Sequence, residues 1–252
     1  MCSDLLGARR KPITVTPEDY SRWRRSRLGA ITEAREAEVI FGAAGPVESR
    51  RLLDVGCGDG TYAIEGALRG ALVTAIDSSQ DMIDAARRRS WDRDVTIDCR
   101  VADVRALPFE SNTFDLVIAV TVLCFVSDAG RAIREMARVL APGGRLVIGE
   151  LNRWNTWAAW RRLRAWFGSP TWRGAVFRSP GQLHGLLQRA GLTVNLIQGA
   201  VYYPPIGLFA RLMAPAEQVL SATTTIGAAF LAATATKTPT HGRGDAKTDP
   251  MP

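Results

Sequence analysis

Histidine is almost missing from this chain: only His184 and His241 occur among its 252 residues. A histidine-based nucleophile or metal centre therefore has little to draw on. Cysteine is sparse as well. Cys2, Cys57, Cys99 and Cys124 are scattered with no C-x-x-C pair, a pattern that fits neither a zinc site nor a disulfide framework and suits a reducing, cytoplasmic setting. Lysine is confined to Lys11, Lys237 and Lys247, so the net charge of +7 is carried by arginine. That charge is spread over Arg22–Arg27, Arg87–Arg89 and Arg161–Arg164 and forms no single nucleic-acid footprint. No apolar run approaches the roughly 18 residues of a transmembrane helix. Met1–Arg10 lacks the apolar centre of a secretory signal.

What is present is a 46% share of hydrophobic residues, enough for one sizeable core. From Arg51 onward, strand-length apolar runs alternate with amphipathic helical stretches. That alternation implies a mostly parallel sheet covered on both faces. The expected strands are Arg51–Val55, Leu72–Ile76, Val95–Val101, Phe114–Val120, Arg145–Glu150, Leu192–Ile197 and Gly227–Thr236. Helices are expected at Thr61–Leu68, at Gln80–Arg89 with Ser79 as N-cap, at Ala129–Leu140 ended by Pro142-Gly143-Gly144, and at Gly181–Ala190 opened by Ser179-Pro180. Upstream, Pro17–Phe41 reads as helix broken near Leu28-Gly29. Residues 1–14 read as a loose tail, 15–236 as a single domain with a helical cap over 15–45, and 237–252 as a disordered tail. Two insertions interrupt the alternation: a tryptophan- and arginine-rich helical one within 153–175, and a second over Tyr202–Thr225.

The most informative stretch is Leu52-Leu53-Asp54-Val55-Gly56-Cys57-Gly58-Asp59-Gly60-Thr61. It reads as a buried strand, a glycine turn and the start of a helix, with Asp77 ending the next apolar run. Together these suggest a nucleoside site at the switch point of an open α/β sheet. The dinucleotide fingerprint G-x-G-x-x-G would need a glycine where Thr61 stands; here the spacing is G-x-G-x-G. Asp77 is placed to accept hydrogen bonds from two ribose hydroxyls, and its charge disfavours a 2′-phosphate.

The glycine turn resembles motif I of the class I S-adenosylmethionine-dependent methyltransferases, of the methyltransferase type 11 and ubiquinone/menaquinone biosynthesis kind. Four further segments match in order: Thr74–Met82, Val101-Ala102-Asp103-Val104, Pro108-Phe109-Glu110 through Phe114–Ile118, and Val139–Leu146 with its Pro-Gly-Gly turn. The likeness is close over about 50 to 152 and looser over 15 to 236. It implies a Rossmann-like seven-stranded sheet with an antiparallel last strand, and S-adenosylmethionine as cofactor. By the same resemblance, Gly56, Cys57, Gly58 and Gly60 pass under the cofactor and Asp54 engages its ammonium end. Asp77 and Ser78 belong to the ribose segment, Asp103 and the Val104 amide meet adenine, and Thr121 lines the site beyond strand four. Met82 packs against adenine or simply fills the core. Tyr20 and Trp23 belong to a cap over the cofactor or pack their helix on the sheet. No metal is expected.

Methyl transfer from a sulfonium is an in-line displacement, so the enzyme mainly positions the acceptor and excludes water. No general base stands out. His184 precedes strand six, away from the expected chemistry, while Glu150 and Asn152 lie at the carboxyl end of strand five. The acceptor implied is a small apolar or amphipathic molecule such as a quinone, phenol or lipid, with oxygen or carbon methylation favoured. The Arg153–Phe167 stretch reads as a lid, an interfacial membrane helix, an RNA surface or ordinary packing with snorkelling arginines; nothing else resembles an RNA-binding module. The rival functions are a nicotinamide-dependent oxidoreductase and a non-catalytic cofactor-binding or membrane-associated protein.

Overall fold

The computed structural model describes residues 16–167 and 175–239. The tail over 1–14, most of the tail beyond 237 and part of the 153–175 insertion therefore lie outside the described residues. In β1 (Arg51–Val55) the neighbours Leu52 and Leu53 are both fully buried, one in the core layer on each side of the sheet. A strand hydrophobic at consecutive positions is what a sheet covered on both faces requires.

Six more strands complete the sheet: β2 (Leu72–Asp77), β3 (Asp98–Val101), β4 (Phe114–Val120), β5 (Leu140–Leu151), β6 (Leu192–Ala200) and β7 (Phe230–Lys237). Their order is β3-β2-β1-β4-β5-β7-β6. The pairings among β1 to β5 are parallel, and β7 runs antiparallel between β5 and β6. The order reverses between β1 and β4, which makes their carboxyl ends the switch point.

The helices divide between the two faces. On one side lie α2 (Arg27–Ala44), α3 (Thr61–Leu68), α4 (Gln80–Trp91) and α6 (Thr156–Trp166); their residues Ile40, Ala63, Ile83 and Trp157 share a core layer with Leu52, Val73 and Ile118. On the other, α5 (Ala129–Val139) and α7 (Pro180–Arg189) pack Ile133, Met136 and Leu183 against Leu53, Val117 and Ile148. The short α1 (Pro17–Arg25) precedes α2, and α8 (Gly207–Leu212) and α9 (Ala214–Thr223) occupy the second insertion.

Several boundaries differ from expectation, each for a local reason. The cap breaks at Ser26, not at Leu28-Gly29: Ser26 closes α1 by donating its amide to the Trp23 carbonyl, and its hydroxyl caps α2 by accepting from the Gly29 amide at 3.0 Å. Strand three begins at Asp98 rather than Val95, because the Val95 amide donates to the Ser90 carbonyl at the end of α4. Strand seven starts at Phe230 and runs to Lys237, whose ammonium donates to the Leu140 carbonyl at 2.7 Å.

Candidate active site

The turn between β1 and α3 is held open from beneath. Gly56 and Gly58 both have positive φ, 67° and 54°, which only glycine adopts at low cost. Their environments differ. A Cβ on Gly56 would collide with Val122, which follows β4, whereas a Cβ on Gly58 would meet nothing within 4 Å. Gly60 packs on Ala86 of α4. Gly56 thus lets the chain close on itself, while Gly58 borders free space.

Asp77, at the end of β2, faces that space with both oxygens oriented. Oδ2 accepts from the Gly58 amide at 3.0 Å and Oδ1 from the Ser79 amide at 2.9 Å. Each oxygen keeps a lone pair for a ligand. Asp54 lies below, 1% exposed, and its Oδ2 has no hydrogen-bond partner. Burial pushes its carboxyl up to about 7, with nearby Asp77 adding to the rise and the Ala63 amide opposing it. Cys57 is buried and its thiol donates to the Gly58 carbonyl; burial raises its ionisation far above the usual thiol range, so it stays protonated.

The other expected site residues flank this centre. Ser78 is exposed beside Asp77, and Met82 is buried on α4. Asp103 is exposed, with its carboxylate engaged by the Arg105 guanidinium at 2.6 Å, which holds its carboxyl below the usual carboxylate range. Val104 beside it is buried. Thr121 has φ 55°, a conformation uncommon for a β-branched residue and found where a site dictates the backbone. The candidate bases fare worse. Glu150 is tied to Arg178 at 3.0 Å in a buried ion pair, and Asn152 donates to the Ala228 carbonyl at 2.9 Å. His184 sits on α7, across the sheet from the glycine turn.

Sequence reasoning passed over Asp59, which stands between Gly58 and Gly60. It is 3% exposed and receives Arg24 from α1 and Arg89 from α4, the latter at 2.7 Å. This triad clamps the cap onto the turn. A second joint is Trp157, which donates to the Tyr203 carbonyl at 2.7 Å and meets Trp23 edge-on at 5.9 Å. Helix α1, the first half of α2 and helix α6 come together as a roof beside the glycine turn. An open hollow of about 670 Å³ between Arg51, Leu72, Arg100 and Phe109 lies at the opposite, amino-terminal ends of the strands, where sheets of this kind do not bind ligands.

Residues 53–148 match the methyltransferase domain family. The ubiquinone biosynthesis O-methyltransferase of Caulobacter sp. (strain K31) is 32% identical over 172 residues, which cover 66% of this chain and 68% of that protein. The chain belongs to the S-adenosylmethionine-dependent methyltransferases. Two solved methyltransferases share the fold. One is a possible histamine N-methyltransferase from Thermotoga maritima, 21% identical with a TM-score of 0.67 and covering 87% of this chain and 95% of that one. The other is magnesium protoporphyrin IX methyltransferase from Synechocystis PCC 6803 with bound SAH, 17% identical with a TM-score of 0.64 and covering 88% and 96%. The chain spans 61% to 66% of the length of the first curated relatives it matches.

The site of this methyltransferase fits a ligand with a vicinal diol and a cationic end. The two oriented oxygens of Asp77 suit the diol, the free space above Gly58 admits the ligand body, and the orphaned Asp54 oxygen is a buried acceptor awaiting a donor.

Proposed function

We propose that this chain transfers a methyl group from S-adenosylmethionine to oxygen or carbon of a small apolar or amphipathic acceptor, such as a phenol, quinone or lipid. The observation that carries the reading is the buried Asp54 oxygen left without a partner beneath the glycine turn. When bound, the cofactor supplies an electrophilic methyl group on a sulfonium. Asp54 receives its ammonium, Asp77 holds the ribose diol, and Asp103 and the Val104 amide meet the adenine, with Met82 alongside. The Arg105 contact on Asp103 is exposed and screened by solvent, so an adenine amino group can share the carboxylate. Thr121 and Val122 line the methyl end, and the roof excludes water from it.

Calorimetric titration with S-adenosylmethionine, S-adenosylhomocysteine and NAD in parallel tests this. Micromolar binding of the first two alone supports it. NAD binding alone means an oxidoreductase, and cofactor binding without turnover on any hydroxylated acceptor means a non-catalytic binder. Asp77→Ala should weaken S-adenosylhomocysteine by about 1–3 kcal/mol, as loss of a charge-assisted hydrogen-bond acceptor does.

A second observation supports contact with an anionic membrane surface. No acidic residue occurs between Glu150 and Glu217. On α6 and at its two ends, Trp154, Trp160, Trp166 and Phe167 are exposed among Arg153, Arg162 and Arg164. Aromatic side chains with arginine suit the headgroup boundary. Sedimentation with phosphatidylglycerol vesicles should fall sharply for the Trp160→Ser, Trp166→Ser, Phe167→Ser triple variant. Equal sedimentation of variant and wild type removes this reading.

A further inference from the structure

The buried stripe of α2 contains one residue that ordinary packing does not explain. Gly29, Thr32, Ile40 and Ala44 turn inward, and Glu36 falls on the same face, four residues from Thr32 and four from Ile40. Thr32 is accounted for by a hydrogen bond between its hydroxyl and that of Tyr203 at 3.0 Å. Glu36 instead meets the Tyr62 hydroxyl from the first turn of α3, and the Arg161 guanidinium from α6 lies close by. Arg161 also stacks over Trp157 at 5.2 Å.

This group stands over the site already described. Tyr62 directly follows the glycine turn and feels the Asp54 carboxylate, while Tyr20 of α1 feels both Glu36 and Asp77. Tyr20, Glu36, Tyr62 and Arg161 come from four different helices, interact with one another, and each is only partly exposed. The space bordered by these four side chains is the candidate chamber for the acceptor.

Building on the proposed methyl transfer, we propose that Glu36 is the proton acceptor for a hydroxylated aromatic acceptor held in this chamber, with Arg161 beside it to stabilise the phenolate. The proton passes from the acceptor's hydroxyl oxygen to a Glu36 carboxylate oxygen. The electron pair stays on the acceptor's oxygen, the atom to be methylated, and the proton leaves to water when the roof opens. Burial supports the role: it pushes Glu36 up to about 7, against the pull of Arg161, where a carboxylate can both take and release a proton near neutrality. The charged and titratable groups facing Glu36 are Arg161, Tyr62, Tyr20, Tyr203 and, on its own helix, Glu33. The signal visible in the sequence is an acid at helical spacing between apolar positions of a cap helix.

The test is calorimetric titration of 4-butylphenol into protein saturated with S-adenosylhomocysteine. Ionised Glu36 accepts from the phenol and protonated Glu36 does not, so wild-type affinity should rise about tenfold from pH 6 to pH 8. Glu36→Gln should remove that dependence while S-adenosylhomocysteine binds within about twofold of wild type. Failure of S-adenosylhomocysteine to bind wild type would sink the methyltransferase reading. If it binds but the phenol does not, or the phenol's affinity is flat with pH, or Glu36→Gln keeps the wild-type profile, the assignment of Glu36 alone is overturned. A flat wild-type profile overturns the assignment even should the variant fail to fold.

Discussion

The central strands β1 and β4 bury what their own pattern announces. In the roof, α2 and α6 do not. Leu52, Leu53 and Val55 are apolar in sequence and buried in the sheet, and Ser79 caps α4 by accepting from the Met82 amide. In and just before α6, by contrast, Trp157 is buried while Trp154 and Trp160, three residues away on either side, are 65% and 48% exposed. In α2, the inward stripe carries Glu36. A sheet strand is packed by neighbours on both faces, so its own composition suffices to say that it is inside. A roof helix is placed by a few specific partners on distant segments, here the Tyr203 carbonyl, Tyr62 and Asp59, and its composition says little about which side is in.

Asp59 is where the two regions join, so breaking it should have the largest effect. Asp59→Asn would leave Arg24 and Arg89 facing each other without their shared carboxylate. An ion pair broken on one side at a site this buried costs about 3–5 kcal/mol. Asp115→Asn, which removes the exposed partner of Arg51, should cost under about 1 kcal/mol. Denaturant titration of the two variants measures both. Equal losses would mean that the cap is held elsewhere.

The next comparison is within the turn itself. Gly58→Val places its side chain in open space, so the variant should fold, at a backbone cost of roughly 1–2 kcal/mol for its left-handed conformation. S-adenosylhomocysteine affinity should nevertheless fall more than about 100-fold, roughly 2.7 kcal/mol, because the side chain takes the ligand's place. Gly56→Ala should do the reverse, lowering stability through its collision with Val122. A folded Gly58→Val protein that binds normally would move the ligand away from this turn.

The spacing G-x-G-x-G and an aspartate closing the next strand were enough to locate the turn and Asp77, because backbone geometry dictates both. Apolar runs and turn residues also showed the parallel sheet, while the antiparallel last strand was implied by the family resemblance. It did not reveal Asp59 as an anchor, since a residue between two glycines looks like a spacer until Arg24 and Arg89 arrive from other helices. Glu150 and Asn152 were placed at the correct end of β5, but sequence gave no sign that Arg178 and the Ala228 carbonyl would occupy them. Partners across long stretches of chain are what pattern alone omits.

The finest test separates the two regions by their acids. Burial holds Asp54 up to about 7 in the folded protein, above the unfolded value near 3.9. The folded state therefore binds its proton more readily. That favours folding below about pH 4 and is progressively lost as the pH rises toward 7. A bound ammonium reverses the preference, because it needs the ionised carboxylate. In protein without acceptor, S-adenosylhomocysteine affinity should then rise about tenfold between pH 6 and pH 8, roughly 1.4 kcal/mol. Glu36 and Glu150 are also raised by burial, so the control is Asp54→Asn. With it, binding should be weaker and nearly flat across the same range. If the asparagine variant keeps the wild-type slope, the titrating group is not Asp54.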